Sequence, residues 1–144
     1  MLMFSRATAQ TGGGDAMPHV IIEYSANIES EISAQRLVDE MHAAALATAI
    51  ADPAGFRTRA ARRPHFRVGD GDPKNGFVHV TARIRDGRSV EQKRALAEAL
   101  MAALETALAP ALAARPMALA VEVQEIDSQT RLLRNTIREK ASAA

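Results

Sequence analysis

Hydrophobic and polar positions alternate along several short stretches, and helical periods separate them. Pro18-His19-Val20-Ile21-Ile22-Glu23-Tyr24 is an apolar run with strand alternation, which predicts a first strand over residues 20–24. Residues 25–32 are polar and read as a connection. Ser33 then stands where a helix cap belongs, ahead of Ala34, Leu37, Val38, Met41, Ala44, Ala45 and Thr48, the spacing of one buried helical face. Asp52-Pro53-Ala54-Gly55 stops that helix. Residues 56–68 alternate imperfectly and contain Pro64, so they are expected to form an edge strand or extended arm. The turn cluster of residues 69–76 ends in Asn75-Gly76, a hairpin signal. A clean strand follows over residues 77–84, with Val78, Val80, Ala82 and Ile84 on one face.

Ser89 and Gln92 fit a capping box for a second helix, whose stripe is Leu96, Leu100, Ala103, Leu104 and Ala107. Pro110 and Pro116 close this helical region. Met117, Leu119, Val121 and Val123 alternate with smaller or polar residues as a fourth strand. Beyond Asp127, Leu132, Leu133 and Ile137 lie among charges, as in an arm or short helix docked on a neighbour. The order is β-α-β-β-α-β, an α+β fold of two strand–helix–strand halves. Right-handed crossovers put both helices on one face of a four-stranded sheet. The other face is left bare and is expected to pack against copies of the chain.

Composition narrows the possible functions. Net charge is +1, and only 3% of residues are aromatic, so stacking platforms for RNA are scarce. The arginines of residues 57–67 keep an RNA-binding reading in view, but nucleic acid is not the expected partner. The absence of cysteine excludes disulfides and thiolate chemistry. No apolar run reaches the roughly 18 residues of a membrane span, and a cytoplasmic protein is expected. No pair among His19, His42, His65 and His79 has zinc-ligand spacing.

Met17-Pro18 raises the main chemical question. A proline freed at its amino end carries a secondary amine, a base and nucleophile unlike any other protein group, whereas inside a chain its nitrogen is a tertiary amide. Residues 1–17 show neither helical nor strand period and read as a disordered or mis-annotated extension. Codons for Gly12, Gly13, Gly14 and Asp15 are purine-rich and lie where a ribosome-binding site would precede Met17. Translation from Met17, with the methionine removed, is therefore the expectation. Such an amine is somewhat more basic than an ordinary α-amino group, which titrates near about 8, and an apolar pocket beside guanidinium groups would push it down towards neutrality.

The stretch from Val78 to Lys93, containing Gly87-Arg88-Ser89 and Glu91-Gln92-Lys93, resembles the opening of the short 4-oxalocrotonate tautomerase chains. Residues 18–28 look like the opening of 5-carboxymethyl-2-hydroxymuconate isomerase, the double-length trimeric member of that superfamily. Gly55-Phe56-Arg57-Thr58-Arg59 and Phe77-Val78-His79 fall in the same order at similar spacing. The resemblance spans residues 18–126, leaving residues 127–144 as a C-terminal arm. It implies an isomerase that shifts a double bond in an unsaturated 2-hydroxy polycarboxylate, as in aromatic-acid breakdown, with Pro18 as acid and base. It also implies Arg57 and Arg88 as carboxylate-binding residues, with Arg59 in reserve, no cofactor, and a homotrimer restoring the six-unit ring of the shorter relatives. Val78 holds the place of the proline in the second repeat, so each chain supplies one such proline. A hydratase-type relative and a non-catalytic trimeric ligand-binding protein remain as alternatives.

Overall fold

The computed structural model describes residues 18–138, and nothing expected of residues 1–17 falls within them. Its elements are β1 (His19–Ser25), α1 (Ala34–Ala47), β2 (Arg57–Arg63), β3 (Gly76–Arg85), α2 (Val90–Ala107), α3 (Ala109–Ala114) and β4 (Met117–Ile126). The sheet order is β2-β1-β3-β4. β1 runs parallel to β2 and β3 parallel to β4, while β1 and β3 pair antiparallel at the centre. The two strand–helix–strand halves thus meet back to back along the β1–β3 seam.

Local chemistry starts both long helices. The Ser33 hydroxyl accepts from the Arg36 amide at 3.1 Å. Ser89 and Gln92 form the reciprocal capping box, at 3.0 and 2.9 Å. Leu37, Met41 and Ala45 of α1 and Leu96, Leu100 and Leu104 of α2 are buried against Val20, Ile22, Val78, Val80, Ala82 and Ile84. Each of the valine, leucine, isoleucine and methionine side chains so buried contributes roughly 1.5–3 kcal/mol. The helices therefore cover one sheet face, as the alternation predicts.

Three details depart from the sequence reading. Residues 25–32 are more than a connection: Ala26–Ser30 is a turn of 3₁₀ helix that buries Ile28 completely. Asn75-Gly76 closes no hairpin, because β1 lies between β2 and β3. Asn75 instead ties the loop together, donating to the Val68 carbonyl at 3.0 Å. Gly76 is needed for space, since a Cβ there would meet Met117 Sδ at 2.9 Å and Ile28 Cγ2 at 3.0 Å. Finally, Pro110 does not end the helical region but opens α3, where its missing N–H costs nothing.

Candidate active site

Three chain segments converge on one end of the sheet. Pro18 is buried immediately before β1, and its carbonyl accepts from the Arg57 amide at 3.1 Å. Parallel pairing thus starts β2 beside the proline. β3 runs the other way, so its last residues return to this same end, with His19 opposite Arg83. Asp86-Gly87 then turns the chain into Arg88, with Gly87 at φ 102, a conformation that favours glycine. Pro18, Arg57 and Arg88 are brought to one end by topology alone.

Their side chains diverge. Arg88 is half-buried on the helix side, where its Nη2 donates to the Ile50 carbonyl at 3.0 Å. It lines a cavity of about 700 Å³ with Thr48, Ala49, Ile50, Gln92 and Leu96. That carbonyl is presented by the chain leaving α1, where Ala49 adopts a left-handed φ of 55. Such a conformation costs an alanine roughly 1–2 kcal/mol relative to glycine. Arg57 points to the open sheet face and lines a separate recess of about 170 Å³ with Ala54 and Asn135. The two cavities share no lining residue.

On the open face, His19 is held between two guanidinium groups. Arg57 Nη2 lies 3.1 Å from its Nε2, and Arg59 Nη1 lies 3.1 Å from its Nδ1. Burial, then the charges of Arg57, Arg59, Arg83 and Arg131, push the His19 imidazole down from 6.5 to about 4. It is neutral at physiological pH. Partial burial, followed by Arg59 and Arg131, also lowers Arg57 from its ordinary value.

The His19 shift has a sign that can be measured. As the pH falls below 6.5 the unfolded chain takes up a proton that folded His19 refuses until about 4. Stability should therefore decline through that window and level off below it. The urea midpoint should drop between about pH 7 and about pH 5, and His19→Gln should lessen the drop. An unchanged drop in the variant would remove His19 from the account.

Other polar and titratable residues of the strands and of α1 have ordinary partners. His79 faces Glu122 at 2.6 Å, His42 meets Thr58 at 2.7 Å, and Glu23 pairs with Arg63 at 2.7 Å. Tyr24 is buried, with its hydroxyl on Glu29. Sequence reasoning missed Arg83 and Arg131. Arg83 could have been found from the antiparallel register opposite His19. Arg131 could not, because it reaches the site along the irregular segment after β4. Among the described residues, no group of three or more His, Asp or Glu is arranged to hold a metal ion.

Comparison with known proteins assigns the family. The model for the 5-carboxymethyl-2-hydroxymuconate isomerase family matches residues 18–141. The chain belongs to this family. Among its relatives, the 5-carboxymethyl-2-hydroxymuconate Delta-isomerase of Escherichia coli is 31% identical over 121 residues, covering 84% of this chain and 96% of that one. A 5-carboxymethyl-2-hydroxymuconate isomerase from Deinococcus radiodurans R1 superposes with a TM-score of 0.80 at 30% identity, covering 88% of this chain and 95% of that chain. A fused 4-OT described as a symmetric trimer gives a TM-score of 0.64 at 18% identity over 81% of this chain and 92% of its own, which shows the shared fold. The chain is thus an isomerase-family enzyme on a tautomerase fold.

Proposed function

We propose that this chain, with Pro18 as its amino terminus, isomerises 5-carboxymethyl-2-hydroxymuconate or a close relative in cytoplasmic aromatic-acid breakdown. The Pro18 nitrogen takes the proton of the 2-hydroxyl, leaving a dienolate. It returns that proton to a carbon at the far end of the conjugated system, giving a 2-oxo acid whose double bond has moved. Arg57 and Arg88 hold carboxylates through their planar forks, and a guanidinium near the 2-oxygen stabilises the charge that develops there. None of these steps calls on a cofactor. The observation that carries the reading is that the backbone brings Pro18, Arg57 and Arg88 to one sheet end, with the Arg57 side chain on the open face and that of Arg88 on the helix side. The family match, which begins at Pro18, supports it. The test is the ultraviolet decay of the dienol with protein that begins at Pro18. No turnover of branched or unbranched 2-hydroxymuconates would remove the reading.

Assembly as a homotrimer belongs to the same proposal. It is supported by the sheet face that no helix covers and by Leu132, which is 99% exposed on the C-terminal segment. The fused 4-OT relative is described as a symmetric trimer. Light scattering should give about three times the chain mass, and a stable monomer at micromolar concentration would contradict this.

A further inference from the structure

The turn that leads into β2 is tied to the far end of the chain. Within Asp52-Pro53-Ala54-Gly55 the bonds are local. The Gly55 amide donates to the Asp52 carbonyl at 2.9 Å, the Phe56 amide to the Pro53 carbonyl at 3.2 Å, and the Ala54 amide to the Asp52 carboxylate at 3.0 Å. The Ala54 carbonyl accepts from a side chain 81 residues away, Asn135 Nδ2, at 3.0 Å. Arg138 Nη2 adds a looser contact, 3.7 Å from the Asp52 carboxylate.

Asn135 uses both atoms of its amide. Its Oδ1 accepts from the Ile137 amide at 2.9 Å and from the Arg138 amide at 3.1 Å, as a helix N-cap does. A cap needs only an acceptor oxygen, which serine, threonine or aspartate also supplies. The N–H is what asparagine adds, and its partner is the turn ahead of Arg57. Capping holds the amide plane in place and so aims Nδ2 at Ala54.

What this turn carries into β2 is Arg57. The Arg57 side chain lines the recess of about 170 Å³ whose other walls include Ala54, Leu133, Asn135 and Thr136. β2 is an edge strand, so Arg57, its first residue, is held by β1 on one side and by the turn behind it. β1 is bonded on both sides, to β2 and to β3. Release of the turn therefore displaces Arg57 before it displaces Pro18.

We propose that Asn135 is a positioning residue, which holds the residue 52–55 turn through the Ala54 carbonyl and so sets where the Arg57 guanidinium stands beside Pro18. This rests on the isomerase reading, in which Arg57 holds a substrate carboxylate. Ground state and transition state share that carboxylate, so loss of the tie raises KM and leaves kcat nearly unchanged.

Two substitutions separate the tie from the cap. Asn135→Ala removes both, whereas Asn135→Asp keeps the capping oxygen and loses the N–H. Two readouts need no turnover. In native-state hydrogen exchange, the Gly55, Phe56 and Arg57 amides should exchange about three- to ten-fold faster in both variants, while amides of the β1–β3 seam change by less than about two-fold. His19 reports on Arg57, whose Nη2 lies 3.1 Å from its Nε2. Burial lowers that imidazole most, and Arg57 is the largest of the charges that lower it further, so His19 should titrate above about 4 in both variants. In protein that begins at Pro18, KM for a 2-hydroxymuconate should rise about three- to ten-fold, with kcat within about two-fold. Asn135→Asp behaving like the unaltered chain would overturn the proposal, because the cap alone would account for Asn135. So would exchange raised evenly across the sheet, the mark of a merely structural residue. Faster exchange at the turn with His19 and KM unmoved would overturn it as well, since Arg57 would not depend on the turn. Faster exchange and a shifted His19 in a protein that turns over no 2-hydroxymuconate would leave the positioning role standing and remove the isomerase reading instead.

Discussion

Arg88→Ala should lower kcat/KM for a polycarboxylate roughly ten- to hundred-fold, raising KM and lowering kcat together. The reason lies in where Arg88 sits. It follows the Gly87 turn at the end of β3, next to the capping box that starts α2. Its backbone is thus fixed from both sides. Its guanidinium is half-buried and oriented by the Ile50 carbonyl at 3.0 Å, in a cavity large enough for a six-carbon acid. On the proposed reading, a fork aimed in this way would grip substrate and transition state alike, so both kinetic parameters should move. Arg88→Lys keeps the charge and loses the fork, and should recover only part of the loss.

Arg62 gives the contrast. It lies near the far end of the edge strand β2 and is spent on Glu29, at 3.0 Å, with much of its side chain in solvent. Exposed pairs of this kind contribute about 0–1 kcal/mol to stability. Arg62→Ala should leave steady-state rates nearly unchanged. Equal losses from Arg62→Ala and Arg88→Ala would show that the effect is general electrostatics and not a site.

The parts of the fold that the sequence revealed are those governed by local rules. Alternation at Val20, Ile22 and Tyr24 and at Val78, Val80, Ala82 and Ile84 marked the two central strands, because each has one buried face. Ser33 and Ser89 marked both helix starts through cap chemistry that depends on a few neighbouring residues. Asn75-Gly76 misled because hairpin propensity is local, whereas the insertion of β1 between β2 and β3 is a property of the whole sheet. Ile28 was passed over because a lone apolar residue among polar ones has no period, yet tertiary packing buries it.

The candidate site divides along the same line. Pro18, Arg57 and Arg88 were put forward from short motifs, and the structure brings their backbones to one sheet end. The crowding around His19 was not, since it depends on cross-strand register and on the path of the segment carrying Arg131. That segment is anchored by side chains far apart in sequence. Asn135 donates to the Ala54 carbonyl at 3.0 Å, and Arg138 lies 3.7 Å from Asp52. No periodicity announces such contacts.

The second large effect concerns the Pro18 nitrogen itself. Bonded to Met17, that nitrogen is part of a planar amide whose lone pair is delocalised, and it can accept no proton. Freed, it is a secondary amine at the buried start of β1, one residue from the His19 cluster and hydrogen-bonded through its own carbonyl to β2. Loss of a positioned general base costs roughly 10²–10⁴-fold in rate. Pro18→Ala at a free terminus should fall between the extremes, since alanine still offers an amine, though a primary one on a looser backbone. The decisive measurement is the ultraviolet decay of a 2-hydroxymuconate with two preparations, one starting at Pro18 and one at Met1. Intact mass should verify each terminus, and circular dichroism should show both to be folded. The account predicts rapid enol-to-keto conversion by the first and a loss within that range for the second. Equal rates from an untrimmed Met1 protein would contradict it, because Pro18 could then not be the base.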